Sequence, residues 1–362
     1  MVDDALGGGE APSNYVLSRP KNTSESAVLR RLDLAAWRDA MTGMPSVDRV
    51  RWDAMDPIGR WLIASRAAVL SMTFMAAVIA GLFAYQAGRV DWLKFTLLCT
   101  GLTLAHATNN ILNDLSDHLR GVDRDNAFRT RYGTQPVEEG LLSTRDGYRW
   151  ACLTLVPALT CGAILCWQTG AAILPFFGIG LALVLGYNWP LKHFGLGEPT
   201  VVLVWGPLMI GGGYLSLTGE WSWTVAAISL PYAIGPTMVL FGKHTDKIPW
   251  DEPRGVRTLP VLIGHKAARY AVISLLVAQY IIVITLVIAG VLHWCSALVA
   301  LSLPFAAQLV TIYRQASPTE RPAHLPEDVW PLWYAAYAFV HCRRFGVLYI
   351  VALATQVFFS LN

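Results

Sequence analysis

Apolar and polar positions in this chain are sorted into long blocks, where a soluble protein would alternate them every few residues. Nine apolar segments can be counted, roughly 62–86, 92–112, 150–168, 172–189, 199–217, 221–241, 268–290, 295–313 and 334–360. Each is close to the roughly 20 residues that a helix needs to cross a hydrocarbon core. The ninth carries His341, Arg343 and Arg344 near its start, so 345–360 following an interfacial WYAAYAFV segment is the alternative. The pattern predicts an all-α, polytopic membrane protein of about nine transmembrane helices. Residues 1–60 stand apart as a polar preface, expected to be a partly disordered cytoplasmic extension ahead of a membrane domain at 61–362. Within it, SAVLRRLDLAAWRDAM has the pattern of an amphipathic helix lying on the membrane surface.

The connectors between segments alternate in charge. Loops 87–91, 169–171, 218–220 and 291–294 are short and contain Arg89 as their one basic residue. The other loops are longer and basic. They hold Arg120, Arg124, Arg129, Arg131, Arg145 and Arg149, then Lys192, then Lys243, Lys247, Arg254, Arg257, Lys266 and Arg269, then Arg314 and Arg321. An excess of Lys and Arg marks the cytoplasmic side, which puts the N-terminus inside and the C-terminus outside. Composition agrees: 54% of residues are hydrophobic, 15% are charged and the mean hydropathy is +0.43. A soluble chain has a charged share of about a quarter. A net charge of +3 is too small to point to nucleic acid. Six cysteines occur singly, without metal-ligand spacing, and read as small buried hydrophobes. No basic stretch leads into an apolar run at the N-terminus, so no cleaved signal peptide is read there.

Two acidic groups break the pattern, because membrane ends are ordinarily trimmed with basic or aromatic residues. The first is NDLSDHLRGVD, from Asn113 to Asp123, at the end of the second segment. Asn113 and Asp117 are four apart, so a continuing helix puts them on one face, with Asp114 beside them and Asp123 beyond the turn at Gly121. The second group is KHTDKIPWDEPRGVRTLP, with Asp246 and Asp251 near the end of the sixth segment. Hard oxygen ligands of this kind suit Mg²⁺, which commonly bridges one or two carboxylates to phosphate oxygens. Two such groups at equivalent ends can face each other across a cavity with a diphosphate between them. Lys192, Lys243, Lys247 and Arg257 are cations suited to the remaining diphosphate oxygens. His244 reads either as a contact for diphosphate, metal or an acceptor's proton, or as a hydrogen-bonded helix-end residue. His106, within the second segment, is expected to make an interhelical hydrogen bond, and Gly211, Gly212 and Gly213 to allow close helix packing.

With these residues in place, the sequence resembles the UbiA superfamily of intramembrane prenyltransferases. Its first motif, N-D-x-x-D-x-x-x-G-x-D, is similar to the form in the menaquinone-pathway branch, which prenylates 1,4-dihydroxy-2-naphthoate. GYNWPLKHFGLGEPTVVLVWGPLMIGGGY (Gly186–Tyr214) and GVRTLPVLIG (Gly255–Gly264) resemble two further blocks of the same branch. The second acidic motif departs from that pattern. The family places two aspartates four apart; here the residue four before Asp251 is Lys247, and Asp246 lies five before, about 140° round a helix. Pro249 lies between them and could restore a shared direction. Lys243 and His244 stand where the family has an Asn pair.

The resemblance implies nine helices around a central cavity, in an integral protein of the bacterial inner membrane. It also implies a prenyl diphosphate donor and an aromatic, quinone-precursor-like acceptor. On this reading Asn113, Asp117, Asp246 and Asp251 hold Mg²⁺, with Asp117, Asp251 and Lys192 catalytic. Asp114, Asp123, Arg124, Tyr187, Lys192, Lys243, His244, Lys247 and Arg257 bind substrate. Tyr187, Trp189, Trp205 and Tyr214 are candidates for lining the prenyl site. The rival readings are a terpene cyclase that needs no acceptor, transfer to a different acceptor such as a homogentisate, hydroxybenzoate or sugar phosphate, and a channel or transporter. The transporter reading lacks an evident inverted repeat or paired broken helices.

Overall fold

In the computed structural model the apolar blocks are helices, and no strand occurs among the described residues, which are 32–122, 128, 133–327 and 329–361. Asp123 and Arg124 lie outside them, as do residues 26–31 of the expected amphipathic segment. The remainder of that segment enters α1 (Leu34–Thr42), which is followed by α2 (Arg49–Ala54) and α3 (Pro57–Ala64). Each of these short helices begins at an aspartate, Asp33, Asp48 or Asp56, whose carboxylate accepts first-turn backbone N–H groups. Asp56 also accepts from Trp37 Nε1 at 3.0 Å and Asp33 N at 3.0 Å, which ties α3 to α1. Burial pushes the Asp56 carboxyl up, but these donors outweigh it and hold its pKa below the ordinary value. Trp52, Met55 and Ile63 close a small core with Ala36, Ala40 and Leu141.

The longer helices follow as α4 (Ala67–Gln86), α5 (Trp92–Leu119), α6 (Thr144–Thr169) and α7 (Leu174–Gly186). Next come α8 (Gly197–Leu203), α9 (Gly212–Thr218), α10 (Trp223–Asp251) and α11 (Leu259–Ile263), then α12 (His265–Ile288), α13 (Leu303–Arg314) and α14 (Trp333–Leu361). Asp33–Asn362 form one compact unit. Among the described residues, seven helices are long and apolar enough to cross a membrane. The expected count of nine is therefore not reached on length and composition. The second expected segment falls on α5, which is 28 residues long but turns polar from His106 through Asn109, Asn110, Asn113 and Asp114. The fourth falls on Ala171–Gly186, which is apolar but short.

Two features of the packing build the cavity described below. Helix α10 is buried on most of its faces, and its neighbours bond to its backbone or receive bonds from it. Tyr349 Oη of α14 donates to Ile228 O at 2.8 Å, Gln279 Nε2 of α12 donates to Pro231 O at 2.7 Å, and Tyr232 Oη donates to Met72 O of α4 at 2.5 Å. In an apolar surround such bonds between helices stand in for a hydrophobic drive to associate. The second feature is a π-helical stretch, Val204–Gly211, joining α8 to α9. It is interrupted at Gly206 (φ −100, ψ −108) just before Pro207, whose ring disfavours helical geometry in the preceding residue. A Cβ at Gly206 would lie 3.1 Å from Ala233 Cβ, so glycine lets the bent segment press against α10. At Gly213 a Cβ would lie 3.0 Å from Ala80 Cβ and 3.1 Å from Leu98 Cδ2, the close helix packing expected of this glycine run.

Candidate active site

A cavity of about 620 Å³ runs between α5, α6, α7, the α8–α9 segment and α10. One part is apolar, lined by Leu165, Phe176, Phe177, Leu208 and Met209, and the other is polar, lined by Arg66, Asn113, Lys192, Lys243, His244 and Lys247. The polar lining follows from helix periodicity. Lys243, His244 and Lys247 follow Val239 and Leu240 as one stripe of α10 at three- and four-residue steps.

Helix α5 continues unbroken through the first acidic motif to Leu119, so Asn113 and Asp117 do share a face. Asn113 Nδ2 donates to Asp117 Oδ2 at 3.2 Å. Lys192, on a 3₁₀ turn after α7, reaches across to this pair. Its Nζ lies 3.2 and 3.1 Å from the two Asp117 oxygens and 3.4 Å from Asn113 Oδ1. Lys192 and Asp117 are both buried. The sequence-expected partners Asn113, Asp117 and Lys192 are thus one hydrogen-bonded group.

On α10, Lys247 Nζ is 3.0 Å from Asp251 Oδ1, an ion pair between residues four apart with both side chains buried. Among the described residues neither oxygen of Asp251 makes a hydrogen bond, so the contact is electrostatic and off hydrogen-bonding geometry. Lys192 and Lys247 line the cavity, and the carboxylates they hold lie behind them. Each acidic motif therefore presents one buried lysine–aspartate pair.

Several expected placements are corrected. Asp246 does not turn toward the cavity. Its Oδ1 and Oδ2 accept the backbone N–H groups of Tyr334 and Ala335, each at 3.0 Å, and so cap the start of α14. Pro249 leaves α10 helical to Asp251, so helix register puts Lys247 on the face of Asp251 and keeps Asp246 off it. Asp246→Asn is expected to lower unfolding stability by about 1–3 kcal/mol, because an amide nitrogen cannot accept the second N–H. Prenyl diphosphate affinity should stay within about twofold; thermal unfolding and a binding titration on one preparation check both. Asp114 is held in a buried ion pair by Arg66, which also contacts Gln135 Oε1 at 3.2 Å, and it is Arg66 that lines the cavity. Arg257 is exposed and does not line it. Trp189 is exposed with the Arg120 guanidinium 3.9 Å over its ring, and Tyr214 packs into the hydrophobic core; Tyr187 and Trp205 line the cavity as expected.

His106 Nδ1 pairs with Thr73 Oγ1 of α4 at 2.8 Å, the interhelical bond expected of it, and its ring stands edge-on to Trp205 on the cavity wall. Two residues of the site were not singled out from the sequence. Arg66 precedes α4 with a left-handed backbone (φ 55), an unfavourable conformation for an arginine that the buried pair with Asp114 holds in place. Glu198, within the quoted LGE, is buried on α8 and its Oε1 is 2.6 Å from His244 Nδ1. The signal for Glu198 was available, since a carboxylate inside an apolar run needs a partner.

The chain is similar in sequence and in fold to known proteins. The chain is 23% identical over 320 residues to the UbiA prenyltransferase domain-containing protein 1 homolog of Drosophila melanogaster, covering 86% of this chain and 83% of that one. It is 23% identical over 274 residues to the 1,4-dihydroxy-2-naphthoate octaprenyltransferase of Haemophilus influenzae, covering 72% and 87%. Its fold is similar to that of a UbiA homolog from Archaeoglobus fulgidus bound to GPP and Mg²⁺, with TM-score 0.51 and 16% identity, covering 82% of this chain and 99% of that one. The model of the UbiA prenyltransferase family matches residues 74–325, a span that holds both acidic motifs, both lysine–aspartate pairs and most of the cavity wall. An integral membrane protein whose two acidic motifs both contribute lining residues to one cavity thus belongs, by that match, to the UbiA prenyltransferase family.

Proposed function

We propose that the chain transfers a prenyl group from a prenyl diphosphate to an aromatic, quinone-precursor-like acceptor, with Mg²⁺ as cofactor. The observation that carries this reading is the pair of buried lysine–aspartate contacts at the polar part of the cavity. The apolar part suits an isoprenoid tail, and the polar part suits its diphosphate. The Haemophilus relative, named for octaprenyl transfer to a dihydroxynaphthoate, supports an aromatic acceptor.

The residues present fit Mg²⁺. Asn113, Asp117 and Asp251 offer hard oxygens, and among the described residues both oxygens of the buried Asp251 lack a hydrogen bond. Among the described residues no group of three or more His, Cys, Asp or Glu could hold a metal ion. Phosphate oxygens and water would therefore complete the coordination, the usual arrangement for this ion. When bound, the metal neutralises charge on the diphosphate as it leaves. Lys192, Lys243 and Lys247 are fixed cations beside the same group, and the apolar wall keeps water from the allylic carbon. Trp205 and Tyr187 present aromatic surface to it. The side bearing Arg120, Arg145, Lys192 and Lys266 is read as the cytoplasmic face of a bacterial cell membrane, from the one-sided Lys and Arg distribution.

The test is to incubate the purified chain with Mg²⁺ and geranylgeranyl diphosphate, with and without a dihydroxynaphthoate. Prenylated aromatic product that requires both acceptor and Mg²⁺ is expected. Release of diphosphate with a cyclic hydrocarbon and no acceptor would overturn the reading in favour of a cyclase.

A further inference from the structure

Glu198 and His244 form a second buried contact in the wall that carries the lysine–aspartate pairs. Both side chains are buried, and His244 lines the cavity. His244 Nδ1 donates to Glu198 Oε1 at 2.6 Å, and Nε2 makes no hydrogen bond to the protein among the described residues. Glu198 Oε2 is buried with no hydrogen-bond partner among the described residues. Next to Glu198 is Gly197, where a Cβ would meet Tyr187 Oη at 3.5 Å and His244 Cε1 at 3.9 Å, so the missing side chain leaves room beside the ring.

We infer that Glu198 and His244 form a proton-accepting dyad for the hydroxyl of the aromatic acceptor; this rests on the transfer reading above and deepens it. A carboxylate on Nδ1–H fixes the tautomer, so that Nε2 carries a lone pair. Lys192 and Lys243 line the same cavity as His244 and already supply cations for the diphosphate. A doubly protonated ring would set a third positive charge beside them, which favours the neutral base over a diphosphate donor. Mg²⁺ prefers oxygen ligands, which argues against His244 as a metal ligand.

The step balances as follows. The allylic C–O bond breaks and its electron pair leaves with the diphosphate. The acceptor's ring π electrons form the new C–C bond, the hydroxyl oxygen becomes a carbonyl, and its proton moves to His244 Nε2. Loss of the ring proton to the released diphosphate, or of a ring carboxylate as carbon dioxide, leaves an aromatic phenolate, which takes the proton back from His244 Nε2 and returns the base to its neutral form.

The test uses the full chain in lipid nanodiscs and two readouts. In the first, His244→Gln is expected to lower kcat for acceptor prenylation about 10²–10⁴-fold with the KM for prenyl diphosphate within about twofold. Glu198→Gln should cost about 10–100-fold, as for other carboxylates that orient a working imidazole. In the second, diethyl pyrocarbonate labels wild-type His244, located by mass spectrometry. A hydroxynaphthoic acid should slow that labelling several-fold, and inorganic diphosphate should not. His244→Gln within about threefold of wild-type kcat, or labelling that the hydroxynaphthoic acid leaves unchanged, overturns the dyad. Wild-type protein that shows the protection but transfers prenyl to no aromatic acceptor overturns the transfer reading instead, and the dyad's role in transfer with it.

Discussion

Asp117→Asn is expected to reduce prenyl transfer by about 10³-fold or more in kcat/KM, while the protein still inserts and purifies. Asp117 meets Lys192 through both carboxylate oxygens and Asn113 through one, all within 3.2 Å, and it is buried. Alanine would be a poor probe. It would add a cavity and the loss of both acceptor oxygens to the loss of charge, which already leaves Lys192 uncompensated at a cost of about 3–5 kcal/mol, and so confuse misfolding with lost chemistry. Asparagine keeps the shape and one acceptor oxygen, and loses the charge.

The double variant Asp117→Asn with Lys192→Met separates the two effects. Replacing a whole buried pair by neutral groups of similar size is often neutral for stability, so unfolding should return toward wild type. Activity should not, because both a hard carboxylate and a fixed cation are gone. Thermal unfolding and single-turnover transfer, measured side by side, decide it. Asp117→Asn retaining transfer within about tenfold, or the double variant regaining it, would remove Asp117 from the site.

The first acidic motif could be read from sequence because it depends on helix periodicity alone. Asn113 and Asp117 sit four apart on a helix that continues without interruption, and α5 does continue. The second motif was misread at Asp246 because sequence invites aspartates to be paired by type, and Pro249 supplied a reason to bend the helix. What decides Asp246 is 88 residues away in sequence: the first turn of α14, whose N–H groups need acceptors. No local pattern reports that demand. Arg66 and Glu198 were passed over for a similar reason, since their meaning lies in Asp114 and His244 on other helices. On length and composition α5 falls short of a spanning segment because the candidate site residues in its second half lower its hydropathy, and Ala171–Gly186 because it is short.

Of the two adjacent residues Asp246 and Lys247, Lys247 is expected to be the one whose loss damages transfer. On α10 the register is fixed by Asp251, the residue whose spacing to Gly255 fits the family pattern. A side chain four positions before it shares its face, and the one five before lies about 140° away. The structure shows the consequence of both: Lys247 pairs with Asp251 at 3.0 Å on the cavity wall, and Asp246 caps α14. Lys247 is then a resident cation where the family pattern has a carboxylate, which lowers the positive charge that must be recruited with the diphosphate. Lys247→Met keeps length and apolar bulk and removes the charge. It should lower kcat/KM by about 10²–10³-fold, the usual cost of deleting one fixed donor at a developing anion. The Mg²⁺ concentration for half-maximal rate should fall, because Asp251 is released from a competing cation. Asp246→Asn on the same assay should lose stability and leave kcat/KM within about threefold. The reverse outcome, with Asp246→Asn inactive at wild-type stability and Lys247→Met active, would mean that α10 turns at Pro249 when substrate is bound and that Asp246 is the working carboxylate.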